Sequence, residues 1–136
     1  MSKVVAIDLD GCIADYSKGW QGENVFGDVI PGCKEALQKL KSEGNTIIIY
    51  TVRQHTKELD QYLESNEIPY DYVNESVPGT YSQDGRKVWA NVYIDDRAIT
   101  FNGNWEKIPR MVRGFISWEK KQKYEEMYQS KMRDNK

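Results

Sequence analysis

The stretch that most constrains what this chain can fold into is Val4-Val5-Ala6-Ile7-Asp8-Leu9-Asp10-Gly11. An unbroken run rich in Val and Ile suits a central strand buried on both faces, the kind that parallel sheets use. Extended geometry would turn Asp8 and Asp10 toward the same side. Gly11 permits a sharp turn where the strand ends. Two carboxylates this close repel each other unless a cation or a shared proton relieves them. A DxDG alone is a short motif with many chance occurrences, so its meaning rests on the remainder of the chain.

Beyond Gly11, helical and strand patterns alternate. Cys12 to Ile30 reads as an ordered loop or small hairpin, with Gly19, Gly22 and Gly27 interleaved with Tyr16, Trp20 and Phe26. Pro31-Gly32 introduces a helix over 33–43, with Ala36, Leu37 and Leu40 on one face and Gly44 at its C-terminal end. Thr46 to Tyr50 is a second buried strand, followed by Thr51-Val52-Arg53. Gln54 to Asn66 reads as a helix with Leu59, Tyr62 and Leu63 inward, Ile68 to Asn74 as a short strand, and Glu75 to Asp84 as a loop. Val88 to Ile94, with Val92-Tyr93-Ile94 the strand proper, runs into Asp95-Asp96. Ala98 to Phe101 could add an edge strand. Trp105 to Val112 suits a short helix broken or bent by Pro109, and Phe115 to Arg133 a long charged helix.

Strands alternating with helices predict an α/β fold, a Rossmann-like three-layer sandwich around a mostly parallel sheet. With 136 residues there is room for one core. We assign 1–104 to that core and 105–136 to a helical extension of the same domain. Lys plus Arg number 19 and Asp plus Glu 21, a net charge of −2 that offers no global pull toward nucleic acid or anionic membrane. Neither a membrane-length apolar run nor a basic leader is evident, which predicts a cytoplasmic protein. Cys12 and Cys33 cannot build a disulfide framework, and the single His55 excludes multi-histidine metal sites. A metal here would be held by oxygen, which favours Mg²⁺.

In open parallel sheets ligands gather at the carboxyl ends of the strands. Asp8 and Asp10 end the first strand, Thr51 the second, and Asp95 and Asp96 the last, with Lys87 just before it. That set suits phosphoryl transfer. Asp8 can attack phosphorus and form an aspartyl-phosphate, and Asp10 is free to protonate the leaving group and then activate water. Asp8, Asp95 and a backbone carbonyl would hold Mg²⁺. Thr51 and Lys87 would bind phosphate oxygens. Arg53 either reaches a substrate phosphate, with which set we place it, or pairs with a carboxylate.

The ordered set Asp8-Leu9-Asp10-Gly11, Thr51, Lys87 and Asp95-Asp96 resembles the four motifs of the haloacid dehalogenase superfamily of phosphohydrolases, over roughly residues 3 to 103. The resemblance implies Asp8 as nucleophile and Asp10 as general acid/base. It implies Thr51 and Lys87 as phosphate ligands, and a metal motif of Asp95 and Asp96 with Asp8 and the backbone carbonyl of Asp10. An acid at Asp10 is similar to the phosphatase branch. Neither gap between motifs has room for a cap domain, so this resembles a capless member with an open site. Such members act on bulky or polymer-borne phosphates, or close the site with a neighbouring subunit, for which the C-terminal helix is the candidate contact. Partners implied are a phosphorylated small molecule or a polymer-borne phosphate, with no membrane.

Two other classes compete. Response-regulator receivers use similar groups, but their acidic pair opens the chain and their acceptor Asp sits on a middle strand, whereas here DxD opens and DD comes last. An inactive scaffold with this fold is disfavoured because every motif residue is present. His55 reads as exposed, and Cys12 as a small packing residue.

Overall fold

The computed structural model of this chain describes residues 2–80 and 87–135. Its elements run β1 (Val4–Ile7), α1 (Cys33–Ser42), β2 (Thr46–Ile49), α2 (Lys57–Ser65), β3 (Tyr72–Val73) and β4 (Val92–Ile94). A 3₁₀ turn at Trp105–Lys107, α3 (Ile108–Arg113) and α4 (Trp118–Asp134) complete the order. The sheet has the order β3-β2-β1-β4 and every pairing is parallel. This is the Rossmann-like α/β architecture that the alternating pattern predicts. The chain divides into two compact units, Met1–Asp95 and Asp96–Lys136. Between β1 and β2 the first unit inserts only a loop and α1.

Strand alternation sorts the side chains onto two faces. Val5 and Ile7, with Ile47 and Ile49, join Leu37 of α1 and Leu59 and Leu63 of α2 in one buried cluster. Ala6 and Ile48 point the other way and pack with Val88 and Ala90, flanked by Tyr50, Tyr72 and Val77. The topology explains this split. The steps β1 to β2 and β2 to β3 run in one direction, so right-handed crossovers carry α1 and α2 to the same face. The return from β3 to β4 covers the opposite face. In its described part that return is non-helical and contributes Val77, Val88 and Ala90 to the second face. Ile47, Ile48 and Ile49 are fully buried, each a gain of roughly 1.5–3 kcal/mol from water exclusion.

Other departures are local. Helix α2 starts at Lys57 rather than Gln54, because the Thr56 side chain caps it by accepting the Leu59 N–H at 3.1 Å. The third strand is only Tyr72–Val73, and residues 98–101 form no strand. The 105–112 stretch is broken into the 3₁₀ turn and α3, and Pro109 sits in the first turn of α3, where its missing N–H costs nothing. Helix α4 begins at Trp118, after the N-cap Ser117. Residues 81–86, which include the end of the Glu75 to Asp84 loop and Gly85-Arg86, lie outside the described residues.

At the N-terminal edge of the sheet, polar side chains serve the backbone. Asn45 accepts the Lys3 N–H (2.9 Å), Asn91 the Val4 N–H (2.8 Å) and Asp71 the Ile47 N–H (2.8 Å). Lys41 pairs with Asp71 at 2.7 Å. The candidate site lies at the opposite edge.

Candidate functional site

Parallel register sets the row of residues at the carboxyl edge. Ile7 pairs with Ile49 and Ile94, and Ile49 with Val73. One residue further on stand Asp8, Tyr50, Asp95 and Asn74. The row is hydrogen-bonded through the Asp8 N–H to Ile94 O (2.9 Å), Tyr50 N–H to Ile7 O (2.8 Å) and Asn74 N–H to Ile49 O (2.8 Å).

Beyond Ile7 the chain leaves extended geometry. The Leu9 carbonyl accepts from the N–H groups of Cys12 (3.3 Å), Ile13 (2.9 Å) and Ala14 (2.9 Å). Gly11 takes φ +90°, a conformation open to glycine at little cost. This tight turn gives Asp8 and Asp10 different neighbours, where uninterrupted extension would have put them on one side.

Asp8, Cys12 and Asp96, all half-buried, each offer a ligand atom, and these atoms lie within 4.8 Å of one another. Asp8 also accepts the Leu9 N–H at 2.9 Å. Three groups at that separation could hold a metal ion. The two carboxylates suit a hard divalent cation, whereas the Cys12 sulfur suits a softer one. Of the four residues expected at a metal, the structure brings Asp8 and Asp96 into this group. Asp95 stands beside Asp8 in the row of strand ends. Sequence alone gives Cys12 a packing role. It does pack partly against the core, but its place four residues after Asp8, across a glycine turn, is the signal that could have included it.

The Asp10 carboxylate is held by Arg53. The guanidinium grips it in a fork, Nε to Oδ2 at 2.8 Å and Nη2 to Oδ1 at 3.1 Å. Nη1 donates to the carbonyls of Gly22 (2.9 Å) and Glu23 (2.6 Å), and Nη2 also to Val25 O (3.0 Å). These five contacts use all five N–H donors of an arginine. The guanidinium carbon lies 4.5 Å from the Trp20 ring centroid and 4.9 Å from that of Phe26. The Arg53 side chain is 2% exposed and that of Asp10 13%. The structure therefore corrects the placing of Arg53 among the phosphate ligands: it is a buried partner of a carboxylate, with no donor left over.

The fork belongs to a wider attachment of the 12–30 loop. The Gln54 N–H donates to the Glu23 carboxylate (3.2 Å), the Thr56 hydroxyl to Asn24 Oδ1 (2.8 Å) and the Tyr62 hydroxyl to Gly27 O (2.7 Å). Tyr62 stacks on Phe26 with centroids 4.8 Å apart. Burial, the largest cause, pushes its hydroxyl pKa well above the usual tyrosine range, and the nearby Cys33, Asp10 and Asp28 add to the rise. Within the loop, a Cβ on Gly27 would sit 1.9 Å from the Asp15 carbonyl oxygen, so only glycine allows this approach.

Thr51 is half-buried at the end of β2. Its hydroxyl accepts the Arg53 N–H (3.1 Å), and its own N–H donates to Asn74 Oδ1 (2.8 Å). Asn74 donates in turn to Arg53 O (2.9 Å) while holding φ +56°, a left-handed conformation that Asn tolerates. Asn74 is thus a brace for the 51–53 turn that the sequence pattern does not single out; an Asn directly after a strand was its signal. Because α2 starts at Lys57, its first amides lie several residues past Thr51. The exposed Lys87 ammonium sits 4.6 Å from the Tyr93 ring centroid. His55 is exposed and pairs with Asp60 at 2.8 Å. The Tyr70 hydroxyl also donates to Asp60 (2.7 Å), and this bond first, then His55, holds the Asp60 carboxyl below its usual range.

A cleft of about 320 Å³ opens between Asp10 and the loop, lined among others by Asp15, Tyr16, Lys18, Phe26, Asp28 and Arg53.

No protein-family model matches the sequence, and comparison with curated proteins gives no match. Among solved structures, the chain is similar to a conserved protein from Bacteroides thetaiotaomicron, at 25% identity and a TM-score of 0.59. The likeness covers 83% of this chain and 91% of that one. It supports the parallel α/β fold. No helix among the described residues is long and apolar enough to cross a membrane.

Proposed function

We propose that this chain is a Mg²⁺-dependent phosphomonoester hydrolase of the haloacid dehalogenase type, working through an aspartyl-phosphate on Asp8. The observation that carries this reading is the grouping of Asp8, Cys12 and Asp96 at the carboxyl edge of a parallel sheet, one turn from the Arg53-held Asp10. A divalent cation held by Asp8 and Asp96 would screen the repulsion between an anionic phosphoryl group and an attacking carboxylate. An Asp8 oxygen attacks phosphorus as the bond to the leaving oxygen breaks, and Asp10 delivers a proton to that oxygen. Water then attacks phosphorus, giving its proton to Asp10 and releasing phosphate and Asp8. The Arg53 fork occupies one direction at each Asp10 oxygen. Each oxygen keeps a further lone pair for this proton traffic. Thr51 and Lys87 are the proposed phosphate ligands, and Asp95 supports the metal from the neighbouring strand.

The test is phosphate release from an aryl phosphate by the purified protein. We expect turnover with Mg²⁺ and its loss in excess EDTA, restored by added Mg²⁺. Full turnover in EDTA, or none with any divalent ion, contradicts the reading.

A further inference from the structure

A lysine could supply charge at Asp10; what the Arg53 guanidinium adds is direction. Its two bonds, Nε to Oδ2 at 2.8 Å and Nη2 to Oδ1 at 3.1 Å, fix the plane of the Asp10 carboxylate as well as its place. The guanidinium is held in turn. Its other bonds go to the carbonyls of Gly22, Glu23 and Val25, and the rings of Trp20 and Phe26 lie against it. The Arg53 backbone is fixed too, its N–H by the Thr51 hydroxyl and its carbonyl by the Asn74 amide. A buried ion pair is weak evidence for stability, since apolar residues of similar volume often serve as well. Its firmer consequence here is a carboxylate with one orientation. Asp10 and Arg53 both line the cleft, so that oriented carboxylate borders space open to a ligand.

We propose that Arg53 is a positioning residue for the proton steps: it holds Asp10 in the orientation from which a proton reaches the leaving oxygen, and ties that orientation to the loop walling the cleft. The proposal rests on the phosphohydrolase reading, in which Asp10 is the acid and base. Arg53 touches no reacting atom in this scheme, because all five of its donors are taken. Its effect passes through Asp10. Proton transfer by a placed side chain is typically worth ~10²–10⁴-fold, and a misplacement of ~1 Å can cost ~10²-fold. An Asp10 side chain released to a second rotamer would move its oxygens by more than that.

The experiment compares benzyl phosphate with 4-nitrophenyl phosphate, esters of similar size whose leaving oxygens differ in their need for a proton. The benzyl alkoxide must be protonated as it departs, whereas 4-nitrophenolate is stable without a proton. We expect the wild-type protein to hydrolyse both. In Arg53→Lys, which keeps the charge and loses the fork, the ratio of kcat/KM for benzyl over 4-nitrophenyl phosphate should fall about tenfold or more. A smaller folded fraction lowers both values by one factor and leaves the ratio alone. Trp20→Ala removes a ring that is 50% exposed, and keeps all five hydrogen bonds of Arg53. It should lower the ratio about twofold by loosening the guanidinium. The Arg53→Lys ratio decides; if that protein does not fold, the Trp20→Ala ratio decides in its place. An unchanged ratio, or no wild-type turnover of benzyl phosphate, overturns the positioning role while turnover of 4-nitrophenyl phosphate leaves the phosphohydrolase reading standing. Absence of 4-nitrophenyl phosphate turnover in the wild-type protein overturns both.

Discussion

Asp8 and Asp10 are the same residue type, two positions apart, and the fold treats them in opposite ways. Asp8 sits at the end of a strand, its backbone in the sheet, its side chain grouped with Cys12 and Asp96. Asp10 sits beside a glycine turn in the jaws of a buried arginine that also holds the 12–30 loop. A carboxylate near a metal group is suited to meeting an anion. A carboxylate held by a fixed cation beside a cleft is suited to moving protons at one place. Environment, more than residue identity, separates a pair of acids into two roles.

The comparison breaks most visibly on the Asp8 side. Asp8→Asn replaces the attacking oxygen with a poor nucleophile, and turnover of an aryl phosphate should fall to background while the fold survives by circular dichroism. Near-normal turnover would leave the two acids without the division drawn here. On the Asp10 side the largest effect falls on stability. Arg53→Ala leaves a buried carboxylate and three loop carbonyls without their donor, which should cost about 3–5 kcal/mol in denaturant unfolding. Arg53→Lys keeps the charge but loses the fork, and should recover only part of that.

Gly27→Ala tests whether the loop belongs to the Asp10 side. A methyl group pressed on the Asp15 carbonyl should cost about 1–3 kcal/mol. The loss is read as a lower midpoint in denaturant unfolding. The smallest effect concerns pH. Burial raises the Tyr62 pKa in the folded state. The stability tied to its neutral hydroxyl is therefore present below the ordinary tyrosine value of ~10 and is lost as pH rises above it. Tyr62→Phe should flatten the alkaline limb of a pH–stability profile. An unchanged limb would assign it to another group, such as Tyr70, whose pKa is also raised.

The fold was legible because its signals are local and repeated. Val4 to Ile7 and Thr46 to Ile49 are apolar enough to be buried strands on any reading, and the helices between them carry clear periodicity and end signals. Boundaries set by side-chain capping were harder to place, as Thr56 illustrates. Residues 98–101 have strand-like composition, but composition cannot say whether a neighbouring strand is available to pair with. Within the candidate site, Asp8 and Asp96 could be named because carboxylates at strand ends follow from topology. The Arg53 fork could be named only as one of two alternatives, since the choice depends on where loop carbonyls 31 to 28 residues away come to rest. Cys12 and Asn74 were missed for the same reason: their roles come from a glycine turn and a left-handed residue, which carry weak sequence signals.

The central claim is that Asp8 is the group that bonds to phosphorus. It is tested most directly by trapping that bond in the Asp10→Asn protein. This variant keeps the nucleophile but removes the base for the second step, a contribution typically worth ~10²–10⁴-fold. Acid quench during turnover of an aryl phosphate, followed by peptide mass spectrometry, should find the phosphoryl mass on Asp8. Label on any other residue, or no covalent label while the aryl phosphate is consumed, would contradict that claim.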